Sequence, residues 1–127
     1  MIIAVDFDGT CVKHRFPLVG DNAPYSIDVL RELVTKGHRL ILWTVRHNND
    51  RIDGKYLNDA LEWFEDNNIP LYGINNNPEW GTGSAKAFAH YYIDDAAIGC
   101  PLIEEEGYKP YVDWITVREE LIKRGVL

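Results

Sequence analysis

Met1-Ile2-Ile3-Ala4-Val5 is an unbroken apolar run that ends on two carboxylates, in Asp6-Phe7-Asp8-Gly9-Thr10. A continuous apolar run rich in β-branched residues reads as a strand buried on both faces. Such strands belong to parallel sheets covered by helices, and ligands of open parallel sheets bind just outside the carboxyl ends of the strands. Asp6 and Asp8 stand at that end. Two residues apart in an extended chain, their side chains point the same way and repel. Either a divalent cation relieves the repulsion, or one carboxyl keeps its proton while the other ionises. Gly9 lets the chain turn sharply after the second acid.

The rest of the chain alternates. Lys13 to Asn22 reads as a loop with Pro17 and Gly20. A helix is expected next, capped by Asp21 or Asn22, with Pro24 in its first turn and Ile27, Leu30, Leu33 and Val34 as its apolar stripe. Gly37 ends it. Leu40 to Val45 is a second buried-strand run, closing on Thr44 and Arg46. A polar loop over 47–54 leads to a second helix over roughly 55–66, with Leu57, Ala60, Leu61 and Phe64 at helical spacing. A weaker third strand lies within 69–74 and ends near Asn75. Residues 84–89 read as a short helix carrying Lys86. A fourth strand, His90 to Ile93, runs into Asp94-Asp95, and a faint fifth is expected over 99–103. The last helix starts near Asp113. This alternation defines one α/β domain over 1–127, with a mainly parallel sheet and right-handed crossovers.

Twenty acids against 13 bases give a net charge of -7, which argues against nucleic acid or an anionic membrane as partner. A small anionic substrate held by a metal and one or two local cations stays compatible with it. No apolar stretch approaches a membrane span, and the N-terminus lacks a signal-peptide pattern. Cys11 and Cys100 have no metal-ligand spacing and read as free thiols in a reducing cytoplasm, Cys11 as a small apolar filler. The expectation is a soluble cytoplasmic protein.

Asp6-Phe7-Asp8-Gly9-Thr10 resembles the first motif of the haloacid dehalogenase-like (HAD) phosphohydrolase superfamily. Thr44 at the end of the second strand, Lys86 before the fourth, and Asp94-Asp95 after it follow in the order that superfamily uses. The stretch from Lys86 through Tyr91-Tyr92-Ile93-Asp94-Asp95 is similar to small bacterial members. The resemblance covers nearly the whole chain. It implies a three-layer α/β/α, doubly wound, Rossmann-like sheet with the first strand central. It also implies Mg²⁺-dependent hydrolysis of a phosphate monoester through an aspartyl phosphate. By that resemblance Asp6 is the nucleophile and Asp8 the general acid and base. Thr44 and Lys86 hold the transferring oxygens. The metal ligands are Asp6, Asp94 and the Asp8 backbone carbonyl, with Asp95 binding directly or through water. Between Thr44 and Lys86 one helix and one strand use up the residues, whereas an inserted cap domain needs about 50 more. The site is expected to be open, with room for a second subunit to cover it.

The remaining polar candidates are less defined. Arg46 either forks onto a substrate anion or makes a surface ion pair. His14 and His47 lie in loops near the expected pocket mouth, while His38 and His90 read as structural. Trp43, Trp63 and Trp114 fit core positions, and Trp80 is a candidate for a substrate pocket or a subunit contact. Two rival readings stand beside the phosphohydrolase. A signalling receiver domain needs its phosphorylated Asp on the third strand, which here ends in Asn75. A HAD-like binding or scaffold module would keep the site without turnover.

Overall fold

In chain order the elements are β1 (Ile2–Val5), α1 (Ser26–Thr35), β2 (Arg39–Leu42), β3 (Asn48–Asn49), β4 (Gly54–Lys55), α2 (Tyr56–Asp66), β5 (Gly73–Ile74), β6 (Tyr91–Ile93), β7 (Leu102–Ile103), β8 (Tyr111–Val112) and α3 (Trp114–Lys123). The structure is a computed structural model and describes residues 1–81 and 83–127. The first apolar run becomes β1, an inner strand of a four-stranded sheet in the order β5-β2-β1-β6. Every pairing in that sheet is parallel. Val5 lies opposite both Leu42 and Ile93, so the chain leaves three neighbouring strands at one level.

Alternation along the strands sorts the core. Ile3, Val5, Leu40, Leu42 and Ile93 join one buried cluster with Val29, Leu30 and Leu33 of α1, Ala60 and Phe64 of α2, and Trp114, Val117 and Leu121 of α3. The intervening residues Ala4 and Ile41 belong to a smaller cluster with Ala89, flanked by Trp43, Tyr72 and Tyr92. Arg118 forks onto Glu32 at 2.7 and 2.8 Å and ties α3 to α1 across their exposed sides.

The expected caps divide. Asp113 caps α3, its carboxylate accepting the Thr116 N–H at 3.1 Å. Gly37, at φ 88°, follows α1 as expected. Asp21 and Asn22, however, do not cap α1, which starts at Ser26 behind Tyr25 in the left-handed region. The Asn22 side chain is engaged elsewhere: its Oδ1 accepts the Trp63 indole N–H at 2.7 Å.

The expected helix over 84–89 does not form. Ser84 Oγ accepts the Lys86 N–H at 3.3 Å and donates to the Lys86 carbonyl at 3.2 Å, closing a local turn. The Tyr92 hydroxyl donates to the Ala87 carbonyl and accepts the Ala89 N–H. Side chains thus satisfy the backbone groups that a helix would have paired, and Gly83 at φ 75° adds a turn just before them. The layer over Ala4 and Ile41 is therefore loop rather than helix. The faint fifth strand exists as β7, but it pairs antiparallel with β8 in a separate hairpin. The 47–54 loop carries another small hairpin, β3 with β4.

Candidate functional site

Asp6 is the first residue past β1, and its N–H donates to the Ile93 carbonyl at 3.0 Å, so β6 fixes where it stands. Asp94 and Asp95 follow β6 directly. One carboxylate oxygen from each of Asp6, Asp94 and Asp95 lies within 4.8 Å of the others. Thr10, fully buried, is the hub of this cluster. Its hydroxyl donates to Asp6 Oδ2 at 3.0 Å and approaches Asp95 Oδ1 at 3.4 Å, while its oxygen accepts the Asp95 N–H at 3.2 Å. Thr10 belongs to the acidic motif, yet its type alone gives no sign that it joins two strand ends. The Trp114 indole fixes it in turn, donating to the Thr10 carbonyl at 2.7 Å.

Three acids so close resist ionising together. Burial is the main cause that pushes the Asp6 carboxyl up to about 8, helped by the hydrogen bond with Asp95 and the charge of Asp94. Asp94 is also raised, by burial first. The donor set is carboxylate oxygen throughout, the chemistry of hard divalent cations, and a bound cation would relieve the repulsion.

Thr44 closes the other side. Its N–H donates to Asn75 Oδ1 at 2.8 Å, pinning the strand end against the turn after β5. Its Oγ1 accepts the Arg46 N–H at 3.0 Å, which leaves the hydroxyl proton to donate. Asp6, Asp94, Thr44, Asn75, Trp43 and Ala85 share a cavity of ≈ 360 Å³. Asn75, expected at the end of the third strand, and Trp43, expected in the core, both line the cavity.

Asp8 takes a different path. Arg46 Nε donates to its Oδ2 at 2.7 Å and Nη2 to its Oδ1 at 2.8 Å. The remaining guanidinium hydrogens go to the carbonyls of Pro17, Leu18 and Tyr56. The guanidinium lies between the rings of Phe7 and Phe16, and Arg46 is only 2% exposed. This corrects both readings of Arg46: all its donors are taken inside the protein, and the ion pair is buried rather than on the surface. The Asp8 side chain stands apart from the three clustered acids. Its carboxylate belongs neither to the acidic cluster nor to the cavity wall and is held by Arg46.

Lys86 is exposed, its ammonium 5.1 Å from the centre of the Tyr92 ring. Its neighbour Ala85 lines the cavity; Lys86 itself does not. His14 meets the site directly, with Nε2 2.9 Å from Asp95 Oδ2. His47 is exposed, its Nδ1 3.5 Å from the Val45 carbonyl. His38 and His90 are structural as expected. His38 reaches the Val126 carbonyl, and His90 Nδ1 accepts the Ile2 N–H. Trp80 stacks on Phe88 away from the cavity. Cys11 is a buried filler whose thiol is pushed well above its ordinary range by burial. Among the described residues, no helix is long and apolar enough to cross a membrane.

The fold and the site define an α/β protein with a parallel sheet and a carboxylate cluster at the ends of two neighbouring strands, β1 and β6. No family model matches the chain, and no curated protein does. Among solved structures it is similar to a conserved protein coded by a locus of Bacteroides thetaiotaomicron. The two are 37% identical, with a TM-score of 0.75 over 98% of this chain and 91% of that one. The chain belongs to the same family as that protein.

Proposed function

We propose that this protein is a small, nearly capless phosphohydrolase of the HAD kind. It would act on a phosphate monoester with Mg²⁺ through an aspartyl phosphate on Asp6, in a doubly wound fold whose second covering layer is reduced to loop. One observation carries the reading: Asp6 leaves the end of β1 into a cavity that it shares with Asp94 on one side and Thr44 on the other. Asp6, Asp94 and Asp95 would hold Mg²⁺, which when bound shields the phosphate from the attacking carboxylate. The backbone bond of Asp6 to β6 aims its carboxylate, and a short side chain keeps that aim accurate. The Thr44 hydroxyl, with its oxygen already occupied by the Arg46 N–H, donates to a transferring phosphate oxygen. Lys86 reaches such an oxygen only after leaving the Tyr92 ring. Asp8 is the group for proton exchange with the leaving alkoxide, and it serves once it turns off Arg46. The guanidinium keeps its three carbonyl acceptors when that happens.

A non-catalytic binding module is the second reading. It draws on the same two details, Asp8 closed on Arg46 and Lys86 resting on Tyr92. Turnover of para-nitrophenyl phosphate with and without Mg²⁺ separates the two. An acid quench of Asp8→Asn with substrate, followed by peptide mass analysis, then tests the intermediate. Phosphate on the peptide holding Asp6 supports the proposal; turnover without it points to attack by water.

A further inference from the structure

Asp95 differs from its two partners in the cluster because a side chain from outside grips it. His14 stands in the loop after the acidic motif, 81 positions away in sequence, with Nε2 at 2.9 Å from Asp95 Oδ2. The contact is a hydrogen bond between the imidazole Nε2 and one carboxylate oxygen, which fixes the orientation of that oxygen. Thr10 meets Asp95 as well: its oxygen accepts the Asp95 N–H at 3.2 Å, while its hydroxyl, whose hydrogen goes to Asp6, lies 3.4 Å from Oδ1. Asp95 is thereby held at Oδ2 by His14 and at its main chain by Thr10.

The backbone makes room for this contact at one residue. Gly9 has φ 80°, and a Cβ built there would collide with both His14 Nε2 and Asp95 Oδ2. Any side chain at position 9 would occupy the space that the histidine and the carboxylate share. Gly9 thus does more than turn the chain after Asp8: it opens the path by which His14 reaches Asp95.

Building on the metal reading above, we propose that His14 is a positioning residue that fixes Asp95 toward the cation and sets the affinity of the cluster. A carboxylate that rotates freely must be ordered as the ion binds. One already held presents its oxygens in place. Partners of this outer kind change metal affinity by about 10- to 100-fold when removed. His14 is partly exposed, at 28% for its side chain, so its replacement leaves the core untouched.

The test is calorimetric titration of the whole chain with MgCl₂, which needs no substrate. Wild-type protein should bind, and His14→Ala should bind about 10- to 100-fold more weakly. His14→Gln, whose amide nitrogen sits where Nε2 does, should recover most of the loss, to within a few-fold of wild type. Affinity unchanged in His14→Ala, with wild type binding normally, overturns the role of His14 alone. A loss in both variants that the glutamine does not repair also overturns it, because His14 would then be ligating the ion. Absence of Mg²⁺ binding in wild type overturns the metal reading and this inference with it.

Discussion

Asp6 and Asp8 are the same residue type two positions apart, and the fold gives them opposite company. Asp6 faces two more carboxylates and a hydroxyl, with its carboxyl pushed up to about 8 by burial and by the two carboxylates. Asp8 faces a buried guanidinium that offers it two hydrogen bonds. The chain has thus split a pair of like acids by handing one a buried counter-charge. The other is left short of one, at the wall of the cavity it shares with Asp94 and Thr44. The difference teaches that a short acidic motif is not a single object. One acid belongs to the site, while the other also ties the Pro17-Leu18 loop and the start of α2 to the strand end through Arg46.

Substitution of each acid sharpens that contrast. Asp6→Asn should cut turnover of a phosphate ester on the order of 10⁴-fold, about 5 kcal/mol of barrier, while the protein stays folded. Steady-state kinetics beside circular dichroism would read both, and residual activity near wild type would remove Asp6 as nucleophile. Asp8→Ala acts on stability as well as on turnover. It strands a buried guanidinium charge, which costs about 3 kcal/mol or more. Urea denaturation should register the loss, and an unchanged midpoint would mean that Arg46 finds another partner.

A smaller effect carries the opposite sign. Because folding raises the Asp6 carboxyl from 3.8 to about 8, the native state holds the extra proton between those values. Its contribution to stability is full below the lower value and is lost as pH rises through the upper one. Without a divalent cation, thermal unfolding should therefore show stability declining from about pH 4 toward pH 8. Asp6→Asn should flatten that slope and raise stability at pH 7 relative to the wild type. A slope that survives the substitution would assign it to other groups. Smallest of all is Lys86→Ala. Its exposed ammonium over Tyr92 contributes about 0.5–1 kcal/mol at most, so the melting temperature should barely move. A large drop would mean that Lys86 already supports the fold.

The parts of the site that could be read in the sequence are those carried by strand periodicity. β1 and β2 are apolar runs, so Asp6 and Thr44 fall at their ends, and Asp94 follows β6 in the same way. Parallel pairing then brings these ends together. What escaped depends on partners far along the chain. Arg46 is read differently once Asp8, 38 positions away, closes on it. Asn22 looks like a helix cap until Trp63, 41 positions away, takes its side-chain oxygen. Residues 84–89 have helical composition, but the Tyr92 hydroxyl captures their backbone. His14 gives no spacing signal at all, since its partner lies 81 positions away.

The bond from the Trp114 indole to the Thr10 carbonyl has an optical consequence. Trp114 is fully buried, and the residue it touches is the one that joins Asp6 to Asp95. An indole's emission shifts with the electric field across its fused rings, so any event that draws on Thr10 is transmitted to a chromophore already inside the protein. Trp80 is exposed, and Trp43 lines the cavity. Replacing those two with phenylalanine would leave Trp114 and Trp63 as the remaining emitters. The state of the acidic cluster could then be followed in real time, without label or substrate, by the colour of the light the protein gives back.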